Sequence, residues 1–158
     1  MRRIWLLLAA AAIGCGGSGG IGAVSSGGGA AAGAAGLKPV ATVDQIMDAI
    51  VIPSSQALFD AVVYDNGVLV QAPAGDDDWF RLQMQAVAVA EAGNLLQLPP
   101  RAKDDGDWAA MSRALTDAAA AVGQAAEAKD IEELLRTGGV MYTTCAACHR
   151  KYVPEMGS

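Results

Sequence analysis

From about residue 40 onward, apolar residues recur every three or four positions, the spacing of amphipathic helices. Four such stretches are separated by segments that contain Gly, Pro, Asp and Asn, residues that favour turns. The first predicted helix begins at Thr42, and Gln45 completes the pattern of a capping box. Pro53 predicts a kink or a break in this helix, because proline removes one helical hydrogen bond. The predicted apolar face comprises Val43, Ile46, Met47, Ile50, Ser54, Leu58 and Ala61.

The other three predicted helices begin at acidic residues and follow after connections without helical periodicity. The second begins near residues 76–78, and Pro99-Pro100 ends it. The third begins near Asp107. The fourth begins at Asp130, where Glu133 predicts a second capping box. Four amphipathic helices in this arrangement predict an all-α fold, namely an antiparallel four-helix bundle.

The segment 65–78 is predicted to connect the first two helices, and its apolar residues 68–70 would form a short extended piece. No run of alternating apolar and polar residues is long enough to predict a sheet. Three methionines, Met84, Met111 and Met141, fall at core positions of the predicted helices. We assign them to packing, because methionine fills irregular gaps well.

The first 36 residues differ in composition from the rest of the chain. Arg2 and Arg3 precede the apolar stretch 4–13, which predicts a secretory signal peptide over residues 1–14. The stretch is too short to cross a bilayer comfortably, and a retained N-terminal anchor is the alternative. The residues before Cys15 resemble a bacterial lipobox, which implies that Cys15 becomes lipidated. A soluble periplasmic form is the alternative.

Residues 15–36 consist almost entirely of Gly, Ala and Ser, the composition of a flexible linker. They offer too little apolar side chain to fold and should be disordered. We therefore expect a tether that leads from a lipid to a folded domain at residues 37–158. The expected location is the periplasm, with the protein anchored to a membrane as a lipoprotein.

The charge balance is acidic, with 11 basic and 17 acidic residues and a net charge of −6. Loss of residues 1–14 would remove Arg2 and Arg3, which leaves nine basic against 17 acidic residues, a net charge of −8. This balance argues against binding to nucleic acid and permits a partner with a basic surface. Acidity that only aids solubility is the alternative.

The run Cys145-Ala146-Ala147-Cys148-His149 carries the most specific chemistry in the sequence. C-x-x-C-H is the attachment sequence of c-type haem. Two thiols at this spacing can form thioether bonds with the two vinyl groups of one porphyrin, and the adjacent imidazole then ligates the iron. On a helix, Cys145 and His149 share a face. The sequence thus predicts one covalent haem c, held by Cys145, Cys148 and His149.

Other interpretations of the motif have weaker support. A thioredoxin-like redox pair belongs in a βαβ setting, whereas the pattern here is helical. A zinc site needs four ligands, and beyond the motif the chain has no other histidine and only Cys15 as a further cysteine. A disulfide between Cys145 and Cys148 would leave His149 without a role.

A helical chain with C-x-x-C-H near its C-terminus, followed by Tyr152, resembles the class II cytochromes c. This family includes the cytochromes c prime and their low-spin, methionine-ligated relatives. The resemblance covers residues 38–153 and implies a four-helix bundle with the haem packed between helices. It also implies that the first helix supplies the residue that faces the iron opposite His149.

Met47 is the residue of the first helix that matches the distal methionine of the low-spin branch, and core packing is the alternative. Ligation by His149 and Met47 would raise the reduction potential and favour electron transfer. Cytochromes c prime often carry an arginine on the first helix near a haem propionate. The first helix here has no basic residue, so Arg101, Lys103 and Arg113 are the candidates.

The resemblance implies a periplasmic electron carrier, and we expect no enzymatic activity. A five-coordinate haem protein that binds NO or CO is the main alternative, and a helical bundle without haem is another. A peroxidase would need a distal base, for which the chain has no second histidine. The expected partners are redox proteins and a membrane reached through Cys15. Because homodimers are common in the family, the resemblance leaves a homodimer as an alternative to a monomer.

Overall fold

The computed structural model describes residues 36–104 and 106–153. The signal peptide predicted at residues 1–14, the lipidation predicted at Cys15 and most of the linker predicted to residue 36 lie outside the described residues. Within the described ranges, no helix has both the length and the apolar character needed to cross a membrane.

The described part of the chain is mostly helical, which confirms the predicted all-α class. Its helices and strands, in chain order, are α1 (Val43–Ile46), a π-helical segment (Met47–Val51), α2 (Ile52–Phe59), β1 (Val63–Asp65), β2 (Val68–Gln71), α3 (Asp76–Leu96), α4 (Asp107–Ala128) and α5 (Ile131–Tyr152). The first three helical segments follow one another directly, so they form one helical stretch over residues 43–59.

The beginning of this first stretch has the predicted capping box. The Gln45 N–H donates to the Thr42 hydroxyl at 3.2 Å, and the Thr42 N–H donates to the Gln45 side-chain oxygen at 3.0 Å. The helical stretch continues through Pro53 without the break that was the second form of this prediction, but its α-helical winding is interrupted directly ahead of that residue. Because proline has no N–H to donate, the winding widens ahead of it, and the Ile52 N–H donates five residues back, to the Met47 carbonyl.

The predicted absence of a sheet is wrong. Strands β1 and β2 pair in an antiparallel hairpin, and the extended piece predicted at residues 68–70 is part of β2. Asn66 and Gly67 form the turn with φ values of 49° and 79°, the left-handed backbone that an Asn-Gly hairpin turn requires. Every residue of both strands is exposed, so the hairpin contributes little to the core.

The core forms chiefly where α4 packs against α3 and against α5. Small side chains dominate these contacts, so the helix backbones can approach closely. Completely buried examples are Ala86, Val89 and Ala92 on α3 and Ala119, Val122 and Ala126 on α4. The indole N–H of Trp108 donates to the Leu96 carbonyl at 2.8 Å, which ties the beginning of α4 to the end of α3.

The cap of α5 and the burial of two methionines agree only in part with the predictions. Asp130 caps α5 as predicted, since its carboxylate accepts the Glu133 N–H at 3.0 Å. The predicted return bond from the Glu133 side chain is wrong, because that carboxylate binds the Arg136 guanidinium. Met141 is completely buried, as predicted, whereas Met84 is 40% exposed on α3 and is not a core residue.

Gly93 on α3 lies where α4 leaves no room for a side chain. A Cβ atom at this position would lie 2.9 Å from the Ser112 carbonyl oxygen and 3.0 Å from the Thr116 nitrogen, both backbone atoms of α4. We expect Gly93→Ala to lower the free energy of unfolding by about 2 kcal/mol, because the two helices must move apart. Urea denaturation followed by circular dichroism measures the change.

Gly123→Ala on α4 is the matched control. Its Cβ atom would lie 3.5 Å from the Ala86 Cβ atom, an ordinary van der Waals contact. Alanine also favours the helical state over glycine by about 1 kcal/mol, so we expect unchanged or increased stability. Equal stability of the two variants would contradict the close approach of α3 and α4 at Gly93.

Candidate functional site

A cavity of about 670 Å³ is lined by residues of the first helical stretch, the end of α3, α4 and α5. All four site residues predicted from the sequence line it, namely Met47, Cys145, Cys148 and His149. Folding thus brings Met47 to a motif that lies far from it in the chain. The volume is typical of clefts that hold a cofactor, roughly 300–1,000 Å³. A second, more open cavity of about 400 Å³ lies beside the hairpin and contains none of the four residues.

The motif lies in the last two turns of α5, and residues 144–149 are all half-buried. Successive side chains on a helix point in different directions, so this part of α5 is partly covered on every side. Cys145, Cys148 and His149 have the spacing i, i+3 and i+4, which places them on neighbouring positions of one helix face. Cys145 also packs against the core.

The environment of Cys145 and Cys148, which form no disulfide with each other, disfavours thiolate chemistry. Burial raises the pKa of Cys145, and the neighbouring Cys148 adds to the shift. Burial also raises the pKa of Cys148. Reactive Cys-x-x-Cys pairs instead have a lowered pKa, for which a helix N-terminus is a usual cause. The motif here lies at the C-terminal end of α5, where the helix dipole opposes a negative charge.

The surroundings of the motif also disfavour zinc. Within residues 36–104 and 106–153, no three His, Cys, Asp or Glu side chains are grouped so that they could hold a metal ion. Structural zinc needs four protein ligands. Haem iron needs only axial ligands from the protein, since the porphyrin supplies the other four.

Met47 is the first residue of the π-helical segment and is half-buried against the core. Its neighbours Val43 and Ile50 are partly buried apolar residues of the same cluster. Met111 on α4 lines the same cavity, so its assignment to core packing needs correction. The cavity therefore offers two thioether groups, one from the first helical stretch and one from α4.

Arg101 does not line the cavity and has a structural role. It is 6% exposed, and its guanidinium donates to the Ala41 carbonyl at 2.8 Å and to the Leu95 carbonyl at 3.2 Å. These bonds hold the residue before the Thr42 cap against the end of α3. Lys103 and Arg113 are exposed and are not among the lining residues.

Arg150 is the basic residue among those that line the cavity. Sequence reasoning missed it, although its position directly after His149 was a signal. It also missed Asp44 and Asp48, which line the cavity on the helical face of Met47. Helical spacing from Met47 and from the motif was the available signal for these residues.

Two aromatic residues at the cavity were missed as well. Phe59 of α2 and Tyr142 of α5 both line it, and their rings meet edge to face with centroids 6.0 Å apart. Tyr142 precedes Cys145 by three residues, so helical spacing places it near the motif. This aromatic pair joins the end of the first helical stretch to α5 beside the cavity.

Hydrogen bonds, an aromatic contact and an ion pair hold the end of α5 against the beginning of α4. The Tyr152 hydroxyl donates to Asp104 Oδ2 at 2.5 Å, while Asp104 Oδ1 accepts the Trp108 N–H at 2.9 Å. The Trp108 and Tyr152 rings meet edge to face with centroids 4.9 Å apart. Lys151 forms an ion pair with Asp107. These contacts lie within one turn of His149 and fix the wall of the cavity that carries the motif.

This set of residues fits a covalent haem. One largely apolar cavity is lined by two thiols, an imidazole, two thioethers and a guanidinium. Apolar side chains from the first helical stretch, α3 and α4, including Val51, Leu96 and Leu115, form much of the remaining wall. Such a wall would exclude water from a bound porphyrin, and the guanidinium would be available to pair with one of its carboxylates.

The contact between Asp104 and Tyr152 makes stability depend on pH. The hydrogen bond from Tyr152, and after it the bond from the Trp108 N–H, lowers the pKa of Asp104. A carboxyl with a lowered pKa stabilises the fold above its unfolded pKa, about 3.9 for Asp, and this contribution is lost as the pH falls through the folded pKa. We therefore expect Asp104→Asn to be less stable than the wild type at pH 7, with a difference that shrinks below about pH 4.

Urea midpoints measured at pH 7 and at pH 3 test this expectation. Asp117→Asn, which changes an exposed carboxylate of α4 outside this cluster, is the control and should follow the wild type at both pH values. A difference between Asp104→Asn and the wild type that stays constant over this range would contradict the role of the ionised carboxylate.

Comparison with known proteins does not place the chain in a family. No family model, no curated protein and no solved structure matches it. The resemblance to class II cytochromes c therefore rests on the motif, its position in the chain and the helices around it.

Proposed function

We propose that this chain is a c-type cytochrome of the class II kind, an electron carrier with one haem bound covalently to Cys145 and Cys148. The observation that carries the proposal is that Met47, Cys145, Cys148 and His149 line one cavity. The motif explains why two thiols and an imidazole are adjacent. The cavity explains where a porphyrin would be shielded from water.

Each lining residue has a role in this proposal. Cys145 and Cys148 provide the two thioether attachments, and His149 is the proximal ligand. Met47 is the distal ligand, because it matches the family position and comes from the first helical stretch. Arg150 pairs with a haem propionate. The haem, once bound, supplies a one-electron Fe(III)/Fe(II) couple, and the protein contributes burial, axial ligands and a surface for the partner.

The proposal extends to the architecture and the location. The helical stretch 43–59 and helices α3, α4 and α5 are the four helices of the proposed antiparallel bundle. The capped beginnings at Thr42 and Asp130 support separate helices at these positions. We also propose a periplasmic protein that is tethered to a membrane through lipidated Cys15.

An optical spectrum of the purified protein, oxidised and reduced, with and without CO, tests the function. We expect a low-spin spectrum with the far-red band of a methionine–ferric haem bond and no response to CO. A high-spin spectrum that shifts on addition of CO would instead support the NO- or CO-binding alternative. A protein without haem absorbance, from a host that attaches haem, would overturn both.

Met47→Ala tests the distal ligand. We expect loss of the far-red band, a new response to CO and a lower reduction potential, because methionine ligation raises the potential. Spectroscopy and a redox titration of the purified variant measure these changes.

Met111→Ala is the matched control, since it removes a second thioether from the same cavity. We expect it to keep the far-red band and to remain unresponsive to CO. If Met111→Ala instead loses the band and Met47→Ala keeps it, the distal ligand comes from α4.

A further inference from the structure

The cavity opens beside a group of apolar side chains that are exposed to solvent. Ile52 is 51% exposed, Phe59 is 39% exposed and Tyr142 is 63% exposed, and all three line the cavity. Large apolar side chains clustered at the mouth of a cavity are typical of a surface that another molecule covers. Tyrosine in particular is enriched at the centres of protein interfaces.

Two acidic side chains line the same cavity as this apolar group. Asp44 and Asp48 are exposed, are four residues apart on one helical face and line the same cavity. Arg150 is the basic residue among the lining residues, and the proposed haem propionates would neutralise its charge. The charges left for a partner are then the two carboxylates, within a protein whose net charge is −6.

We propose that Ile52, Phe59 and Tyr142, flanked by Asp44 and Asp48, form the docking face for a one-electron redox protein with a basic surface around an apolar patch. Opposite charges steer the encounter and set the orientation. Apolar contact at the centre brings the partner to the mouth of the cavity.

The electron-transfer step in this complex rests on the proposed function, whereas the binding itself does not. With haem bound as proposed, the ferrous protein would pass one electron to the oxidised partner, which would leave the protein ferric and the partner reduced by one electron. No bond forms or breaks, and no proton is transferred. The face therefore needs only to hold the partner close to the cavity mouth for a short time.

The negative charge of the docking face favours a basic redox protein over two other molecules that could cover it. A second copy of the chain would carry the same excess of negative charge, and a symmetric contact through this face would place the same acidic patch on both sides. An anionic membrane surface would repel Asp44 and Asp48 for the same reason. A basic protein is the occupant that gains from both carboxylates.

The test uses the holoprotein in neutral detergent and a probe, a basic mitochondrial-type cytochrome c with a high isoelectric point. Calorimetry with both proteins ferric measures binding without electron flow, and stopped-flow absorbance measures the rate of electron transfer. At low ionic strength we expect D44N/D48N to weaken binding and slow electron transfer about three- to tenfold. The difference should disappear at high salt, since salt screens exposed charges.

The double variant D117N/E127Q is the matched control, because it removes two exposed carboxylates of α4 that do not line the cavity. We expect it to bind as the wild type does. Tyr142→Ser should weaken binding about fivefold or more at every salt concentration, since it removes apolar contact rather than charge.

The outcomes separate the docking face from the proposed function. Equal losses in both double variants would overturn the docking face, because net charge alone would then govern binding. No loss in either would overturn it as well, because Asp44 and Asp48 would then contribute nothing to binding. A dimer of the wild type in sedimentation velocity that Tyr142→Ser dissociates would assign the face to a second copy. The protein could lack haem even when it is produced in a host that attaches haem. If it then still binds the probe through Asp44 and Asp48, the docking face is kept and the electron-transfer function is overturned.

Discussion

The candidate site depends on the contact that holds the end of α5 against the beginning of α4. Asp104 accepts hydrogen bonds from the Tyr152 hydroxyl and from the backbone of α4, while the ring of Trp108 packs on that of Tyr152. The last turn of a helix otherwise frays, because its carbonyl groups lack partners within the helix. Cys148 and His149 lie within one turn of this contact, so their position relative to α4 follows from it.

Local signals in the sequence predicted the helices well. The caps at Thr42 and Asp130 and the end of α3 before Pro99-Pro100 depend on residues a few positions apart, so the pattern alone contains them. The hairpin was missed because its strands are short and exposed on both faces, which gives no alternation of apolar and polar positions. The Asn66-Gly67 turn was the signal that should have outweighed the missing alternation.

Most of the predicted site residues could be identified because they are concentrated in one short motif. Its surroundings were harder to predict, since they depend on how the helices pack. Met111 lines the cavity because of the way α4 faces α5. The Arg101 guanidinium donates hydrogen bonds to the carbonyl groups of residues 41 and 95. Neither placement follows from spacing along the chain. Arg150 could have been predicted from the sequence, because it directly follows the motif.

The π-helical segment makes the length of the first helical stretch as important as its composition. A π turn holds one residue more than an α turn, and each residue of an α-helix turns the chain by about 100°. If all the residues of this segment wound as regular α-helix, everything before it would rotate by about 100° relative to α2, and Asp44 and Ile46 would point in new directions. Deleting one residue between positions 47 and 51 would instead remove the extra residue of the π turn, so the stretch could wind as a regular α-helix with both ends facing as they do now. The same deletion elsewhere in the stretch would turn the beginning of the helix away from the cavity.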